Sequence, residues 1–144
     1  MWRLLCVGVL VAMTLPAVAA DEVDDEMALI GTWTPMKAEL AGAAMPDAVL
    51  KSIVLKLTEG KYEVTVAGQL DRGTWKLDKA AKPKQLTITG TDGPNKDKTF
   101  PCIYELKGDT LRVCYDLSGK MAPAEFATAA GTQLYLVTYQ RKKE

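Results

Sequence analysis

The amino-acid sequence predicts an all-β domain built as an eight-stranded antiparallel barrel, and three observations carry that expectation. Apolar and polar residues alternate over strand-length runs, turn residues interrupt those runs about every ten positions, and helical periodicity is nearly absent. A sheet with one apolar and one polar face, and no amphipathic helix to cover it, buries the apolar face only by folding onto itself. The 144 residues, 48% of them hydrophobic, suffice for one such domain.

The chain opens on a different pattern. Met1-Trp2-Arg3 supplies one positive charge, residues 4–15 form an apolar run, Pro16 stops it, and small residues follow at Ala17-Val18-Ala19-Ala20. This is the layout of a secretory signal cleaved after Ala19 or Ala20. Spanning a bilayer takes about 20 apolar residues, which the run does not reach. Residues 1–20 are therefore expected to be removed, leaving an extracytoplasmic (periplasmic or secreted) chain without a membrane span. Cys6 lies inside the apolar run, too early for a lipoprotein cleavage site. Residues 21–28 follow as an acidic linker, in which 21–26 reads as a solvated tail because it lacks the alternated ligands and glycine turn of a cation loop.

Strands are then expected at 31–40, 52–57, 61–67, 73–77, 85–89, 99–106, 111–117 and 133–141, with a short helical turn over 46–51 where Pro46 and Asp47 open it. Residues 142–144 are a tail. Pro35 cannot donate to a ladder and should mark an edge or a bulge in the first strand; Met36, Ala38 and Leu40 are then expected to face inward although Trp33 does too. Strand alternation places Leu55, Tyr62, Val64, Trp75, Tyr104, Val113 and Tyr115 on the apolar face, and Lys56, Glu63, Lys76, Glu105 and Arg112 on a wet outer one. The segment 92–97 superficially resembles a calcium loop, but Lys96 among the would-be ligands and the Gly93-Pro94-Asn95 sequence make it a plain turn.

The hairpin around Gly108-Asp109 tests the cysteines. Setting Leu106 opposite Leu111 puts Tyr104 opposite Val113 and every apolar residue on one face. Cys114 then opposes Ile103, so the thiols of Cys102 and Cys114 point to opposite sides of the sheet, which disulfide geometry forbids. A register one residue shorter would oppose the cysteines, at the expense of placing Tyr104 against Arg112 and Glu105 against Leu111. The expectation is two free thiols.

The segments Gly31-Thr32-Trp33, Gly73-Thr74-Trp75-Lys76-Leu77-Asp78, Pro83-Lys84, Gly93-Pro94-Asn95-Lys96, Ile103-Tyr104-Glu105-Leu106-Lys107-Gly108-Asp109-Thr110-Leu111 and Cys114-Tyr115, with Pro123 ahead of Glu125-Phe126, resemble a small lipocalin-like domain family of uncharacterised function that is expanded in planctomycete bacteria. The resemblance covers residues 29–141. It departs at Ala122, where relatives commonly carry Arg before the proline. It implies a lipocalin-like β-barrel outside the cytoplasm and supplies no mechanism. It also implies that Trp33 plugs the closed end of the barrel, and antiparallel pairing of the last strand with the first would bring Arg141 over that indole.

Composition narrows the function classes. With 18 Lys plus Arg against 18 Asp plus Glu, the chain has no electrostatic footprint for nucleic acid. With no histidine, Ser-His-Asp, Cys-His and His-metal chemistry are excluded. Asp71, Asp78, Glu105 and Asp116 offer carboxylates, yet no spacing brings two into one cleft, so no enzyme, metal or cofactor is expected. Two readings remain for a monomeric protein. One is a binding module holding a small apolar or amphipathic ligand, with Met36, Leu55, Tyr62, Val64, Trp75, Tyr104, Val113 and Tyr115 as wall candidates. The other is a structural or protein-interaction module of the cell envelope whose barrel is filled by its own side chains. Trp75 fits either. An interior cavity of roughly 300 Å³ or more would favour binding.

Overall fold

A computed structural model describes residues 25–143. The secretory signal expected over 1–20 lies outside the described residues. In chain order the elements are α1 (Asp25–Leu29), β1 (Gly31–Leu40), β2 (Ala43–Ala44), α2 (Asp47–Lys51), β3 (Ile53–Thr58), β4 (Lys61–Val66), β5 (Gln69–Asp78), β6 (Gln85–Asp92), β7 (Thr99–Lys107), β8 (Thr110–Asp116) and β9 (Leu134–Arg141). From β3 to β9 each strand pairs antiparallel with the next, and β1 pairs with both β3 and β9, which closes an eight-stranded barrel. The two-residue β2 is a small hairpin arm on the end of β1. The helical turn expected over 46–51 is α2.

Closure depends on β1 serving two neighbours. Residues 31–33 pair with β3 and residues 33–40 with β9, so Trp33 faces Leu55 on one side and Arg141 on the other. The β1–β9 register shifts between Pro35 and Lys37. Pro35 offers no N–H, and the extra residue, Met36, drops out of the pairing. That bulge lets Trp33 and Ala38, five positions apart, both lie buried in the interior. It also corrects the expectation for two neighbours: Met36 is thrown to the outside at 48% exposure, and Leu40 is 40% exposed at the end of the strand.

The end of the barrel at the start of β1 is sealed. Trp33 is fully buried and its indole N–H donates to the Leu29 carbonyl at 2.9 Å, fixing α1 across the opening. The Arg141 guanidinium lies 4.3 Å from the Trp33 ring centroid. Its Nη1 donates to the Ile30 carbonyl at 3.0 Å, its Nη2 to the Ala28 carbonyl, and its Nε pairs with Asp109 at 3.1 Å. Gly31 is required beneath it: φ is +148°, and a Cβ there would sit 2.8 Å from Arg141 Nη1. Residues 25–28 are consequently no solvated linker. Asp25 is buried, accepting from Tyr104 Oη at 2.7 Å and Lys84 Nζ at 2.9 Å, while Glu26 pairs with Lys79 at 3.0 Å. The acidic residues staple α1 to the barrel.

The β7–β8 pairing sets Cys102 opposite Tyr115, Ile103 opposite Cys114 and Leu106 opposite Leu111, and both cysteines are free. Burial raises the pKa of both thiols. The outer face is not wet throughout, however. Ile103 and Cys114 point outward yet are fully buried, because the 117–133 connection folds over them. Cys114 Sγ faces the Ala127 carbonyl at 3.8 Å and the Phe126 ring lies 4.1 Å from the Arg112 guanidinium. Asp116 anchors the start of this connection, accepting from Ser118 N at 2.9 Å, Ser118 Oγ at 2.6 Å, Lys120 N at 3.2 Å and Met121 N at 3.0 Å.

Arg141 is the residue whose loss should open the sealed end. Arg141→Lys keeps the charge but loses the planar group that stacks on an indole and reaches two carbonyls at once, so it should cost about 1–3 kcal/mol and lower Tm by several degrees. Lys143→Ala, on an exposed position, should leave Tm unchanged; equal behaviour of the two variants would place Arg141 in the tail. Acid should also destabilise the fold. Burial raises the carboxyl pKa of Asp25 and of Asp116, but hydrogen bonds, joined at Asp25 by the charges of Lys84 and Lys79, outweigh it and hold both below their ordinary 3.8. A folded-state pKa below the unfolded value means stability that is present above about pH 4 and is lost as pH falls through the folded values. The urea midpoint should therefore fall between pH 6 and pH 3, and by less in an Asp25→Asn, Asp116→Asn double variant.

Candidate functional site

The opposite end of the barrel is built differently. Here β3 and β5 begin, β4 and β8 end, and inward side chains leave a cavity of about 170 Å³ open to solvent. Its walls are the aliphatic side chains of Ile53, Leu55, Val64, Val66, Ile88 and Leu117 together with the rings of Tyr62, Phe100, Tyr115, Tyr135 and Tyr139. Two polar residues complete it, Asp71 and Asn95. Among the described residues no lysine or arginine lines it.

Asp71 reaches the interior because β5 begins at Gln69, so that Asp71, Gly73 and Trp75 alternate inward. Two glycines opposite each other, Gly73 on β5 and Gly90 on β6, make room beside it. A Cβ on Gly73 would lie 2.5 Å from the Tyr62 ring, and one on Gly90 would lie 1.9 Å from the Asn95 carbonyl oxygen. The two missing side chains admit the two residues that bond the carboxylate. Tyr62 Oη donates to Asp71 Oδ2 at 3.2 Å, Asn95 Nδ2 donates to the same oxygen at 2.9 Å, and the Asn95 N–H donates to Oδ1 at 3.2 Å. The 92–97 segment is thus a turn folded inward over Gly90, with Asn95 spent on Asp71.

Below this network Tyr115 Oη and Tyr139 Oη meet at 2.8 Å. One hydroxyl donates to the other, so one O–H proton of the pair stays available to a further acceptor. The Tyr135 ring stacks on Tyr115 with centroids 5.4 Å apart. Burial pushes the Tyr135 hydroxyl up to about 12 and raises Tyr62, Tyr115 and Tyr139 as well, with the neighbouring Asp71 charge adding to the rise at Tyr62. All four phenols are neutral hydrogen-bonding groups across the physiological range.

Of the wall residues expected from alternation, Leu55, Tyr62, Val64 and Tyr115 meet at this cavity. Met36 lies on the outer surface because of the bulge. Trp75 and Tyr104 are core at the sealed end: the Trp75 indole N–H is shared by the Thr58 and Lys61 carbonyls at 3.0 Å each, and Tyr104 is held by Asp25. Val113 is buried core outside the cavity lining. Trp33 and Arg141 stand together at the sealed end. Asp71 is absent from the expected wall because the expected strand begins at 73, although its alternation with Gly73 and Trp75 was an available signal; Asn95 is absent because 92–97 reads as a plain turn, with nothing to show that it folds inward. The other carboxylates are dispersed. Asp78 and Asp116 point outward, and Glu105 lies on the outer face with Arg112 at 3.4 Å.

A larger concavity of about 560 Å³ lies on the outer face over β3 to β6. Charged and hydroxylated side chains such as Lys56, Thr74 and the half-exposed Arg72–Glu63 pair, at 3.1 Å, form its sides. Apart from Tyr62 and Gly73 its lining residues are charged or hydroxylated, whereas the interior cavity is walled mostly by aliphatic side chains and rings, so the interior cavity is the candidate site. Comparison of the chain with family models, with curated proteins and with solved structures finds no match.

Proposed function

We propose that this protein is an exported, non-enzymatic binding module, acting as a monomer, that holds one small amphipathic molecule in the open end of its barrel. The observation that carries the reading is the contrast between the two ends: one is plugged by Trp33, Leu29 and Arg141, while the other keeps an open, mostly apolar cavity with a carboxylate and phenol hydroxyls turned into it. Size limits the ligand. A volume of about 170 Å³ falls below the 300–1,000 Å³ of pockets for drug-sized molecules, so it does not reach the roughly 300 Å³ that would by itself favour binding, and the part of a ligand it can enclose is small. It slightly exceeds the ~150 Å³ apolar cavity that accepts benzene. The ligand is therefore a single ring or short branched chain with one polar group. The resemblance to the lipocalin-like family supports the same reading, as does the signal-like N-terminal sequence for export.

One observation favours the alternative, a structural or interaction module of the envelope: Leu40, Val66, Leu70 and Leu117, each more than a third exposed, lie at strand ends around the open rim. The cavity separates the two readings. Benzyl alcohol, a neutral probe of the right size, should raise Tm of the native protein and bind measurably by calorimetry. Val64→Phe, which fills the cavity from a half-buried wall position, should abolish that binding while the fold persists. No binding to the native protein, or unchanged binding to Val64→Phe, would favour the self-filled module.

A further inference from the structure

The cavity holds a buried charge without a counter-charge. Asp71 is only 6% exposed, and the three donors around it are the Asn95 N–H, the Asn95 amide and the Tyr62 hydroxyl, all neutral. Among the described residues it makes no ion pair, and no basic side chain lines the cavity. An ionised carboxylate offers about four acceptor positions; three are taken, and the one left is on Oδ1. Buried charges are ordinarily paired, because withdrawing them from water is costly unless an opposite charge and hydrogen bonds replace the lost hydration. The wall beside it is aliphatic, with Val64 paired directly to Asp71 and Ile53, Leu55 and Ile88 on β3 and β6, and the strands across the barrel bring the rings of Tyr115, Tyr135 and Tyr139. The ring faces attract a cation through their quadrupole, while the Asp71 charge repels an anion.

Resting on the binding-module reading, we infer that the ligand class is a small organic cation, a primary or methylated ammonium on an apolar body. Its ammonium group sits against Asp71 and its body lies among Ile53, Leu55, Val64 and Ile88. The ligand completes the ion pair that the chain leaves unmade. A neutral alcohol of the same shape would fill the same space and still hydrogen-bond Oδ1, but without compensating the charge. A carboxylate of the same shape would meet Asp71 as a like charge. Charge selectivity thus separates this inference from cavity binding in general.

The test is titration of the native protein, at low salt and neutral pH, with benzylammonium, benzyl alcohol and benzoate. Benzylammonium should bind about tenfold or more tightly than benzyl alcohol, and benzoate weakest. Asp71→Asn keeps the shape and still accepts a hydrogen bond; it should bring benzylammonium and benzyl alcohol to similar affinities. Should that variant fail to fold, Leu117→Lys supplies an independent arm, since it places a positive charge at a cavity-lining position on the solvent-exposed rim. It should weaken benzylammonium selectively and leave benzyl alcohol within about twofold. Equal or tighter binding of benzyl alcohol by the native protein would overturn the inference while leaving the binding module intact. Binding of none of the three would overturn both.

Discussion

The pairing of Trp33 with two strands at once is the constraint on which the rest of this barrel depends. A sheet that closes must have one strand that serves both of its edges, and β1 does so by giving 31–33 to β3 and 33–40 to β9. At the shared residue the indole turns inward, and the arginine that ends β9 lies over it with its donors on the carbonyls just ahead of β1. Closure removes the sheet edges that would otherwise template pairing with other chains. It also fixes which side of every strand is interior. The Pro35 bulge follows from the same constraint, because without an extra residue Trp33 and Ala38 could not both face the core.

Sealing one end has consequences at the other. Trp33, Trp75, Tyr104 and Leu29 fill the sealed half, and each polar atom they bring inside has a partner: the two indole N–H groups bond carbonyls and the Tyr104 hydroxyl bonds Asp25. The open half carries hydroxyls and a carboxylate whose bonding capacity is only partly used. The cross-strand pair Gly73 and Gly90 gives up side-chain packing, a loss in a strand interior, and the space goes to Tyr62 and Asn95 around Asp71. A sheet built for stability alone would fill that place with a β-branched pair. Glycine, carboxylate and phenol are thus concentrated at the open end, where they leave space and unused bonding capacity.

Much of the fold was legible in the sequence, and the reasons are local. Of the two tight-turn registers for the Gly108-Asp109 hairpin, only one keeps Tyr104 and Val113 on the same face, and that register also separates the thiols. What alternation could not reveal came from places where a second layer or an unusual turn intervenes. Ile103 and Cys114 are outward by parity yet buried, and the 117–133 connection returns to this face, with the Ala127 carbonyl at Cys114 Sγ and the Phe126 ring at Arg112; a single-sheet reading has no term for a loop that covers its outer face. Ala67 and Gly68 both have positive φ and join β4 to β5 in two residues, but alanine there carries none of the Asn-Gly signal of such turns. The strand start therefore read as 73, and Asp71 was left among the dispersed carboxylates. Asp25 was hidden for the opposite reason: it stands in an acidic run, and its contacts with Tyr104, 79 positions away, and with Lys84, 59 positions away, draw it out of solvent.

The barrel is sealed at the Trp33 end and hollow at the Asp71 end, and xenon tests that contrast without reference to any ligand. Xenon enters apolar cavities of this size and shifts the methyl resonances it touches. In methyl-labelled protein under xenon pressure, shifts should concentrate on Ile53, Leu55, Val64, Ile88 and Leu117, with Leu29, Leu111 and Val137 unmoved. Shifts centred on Leu29, Leu111 and Val137, or no saturable shift anywhere, would mean that the Asp71 end is not hollow.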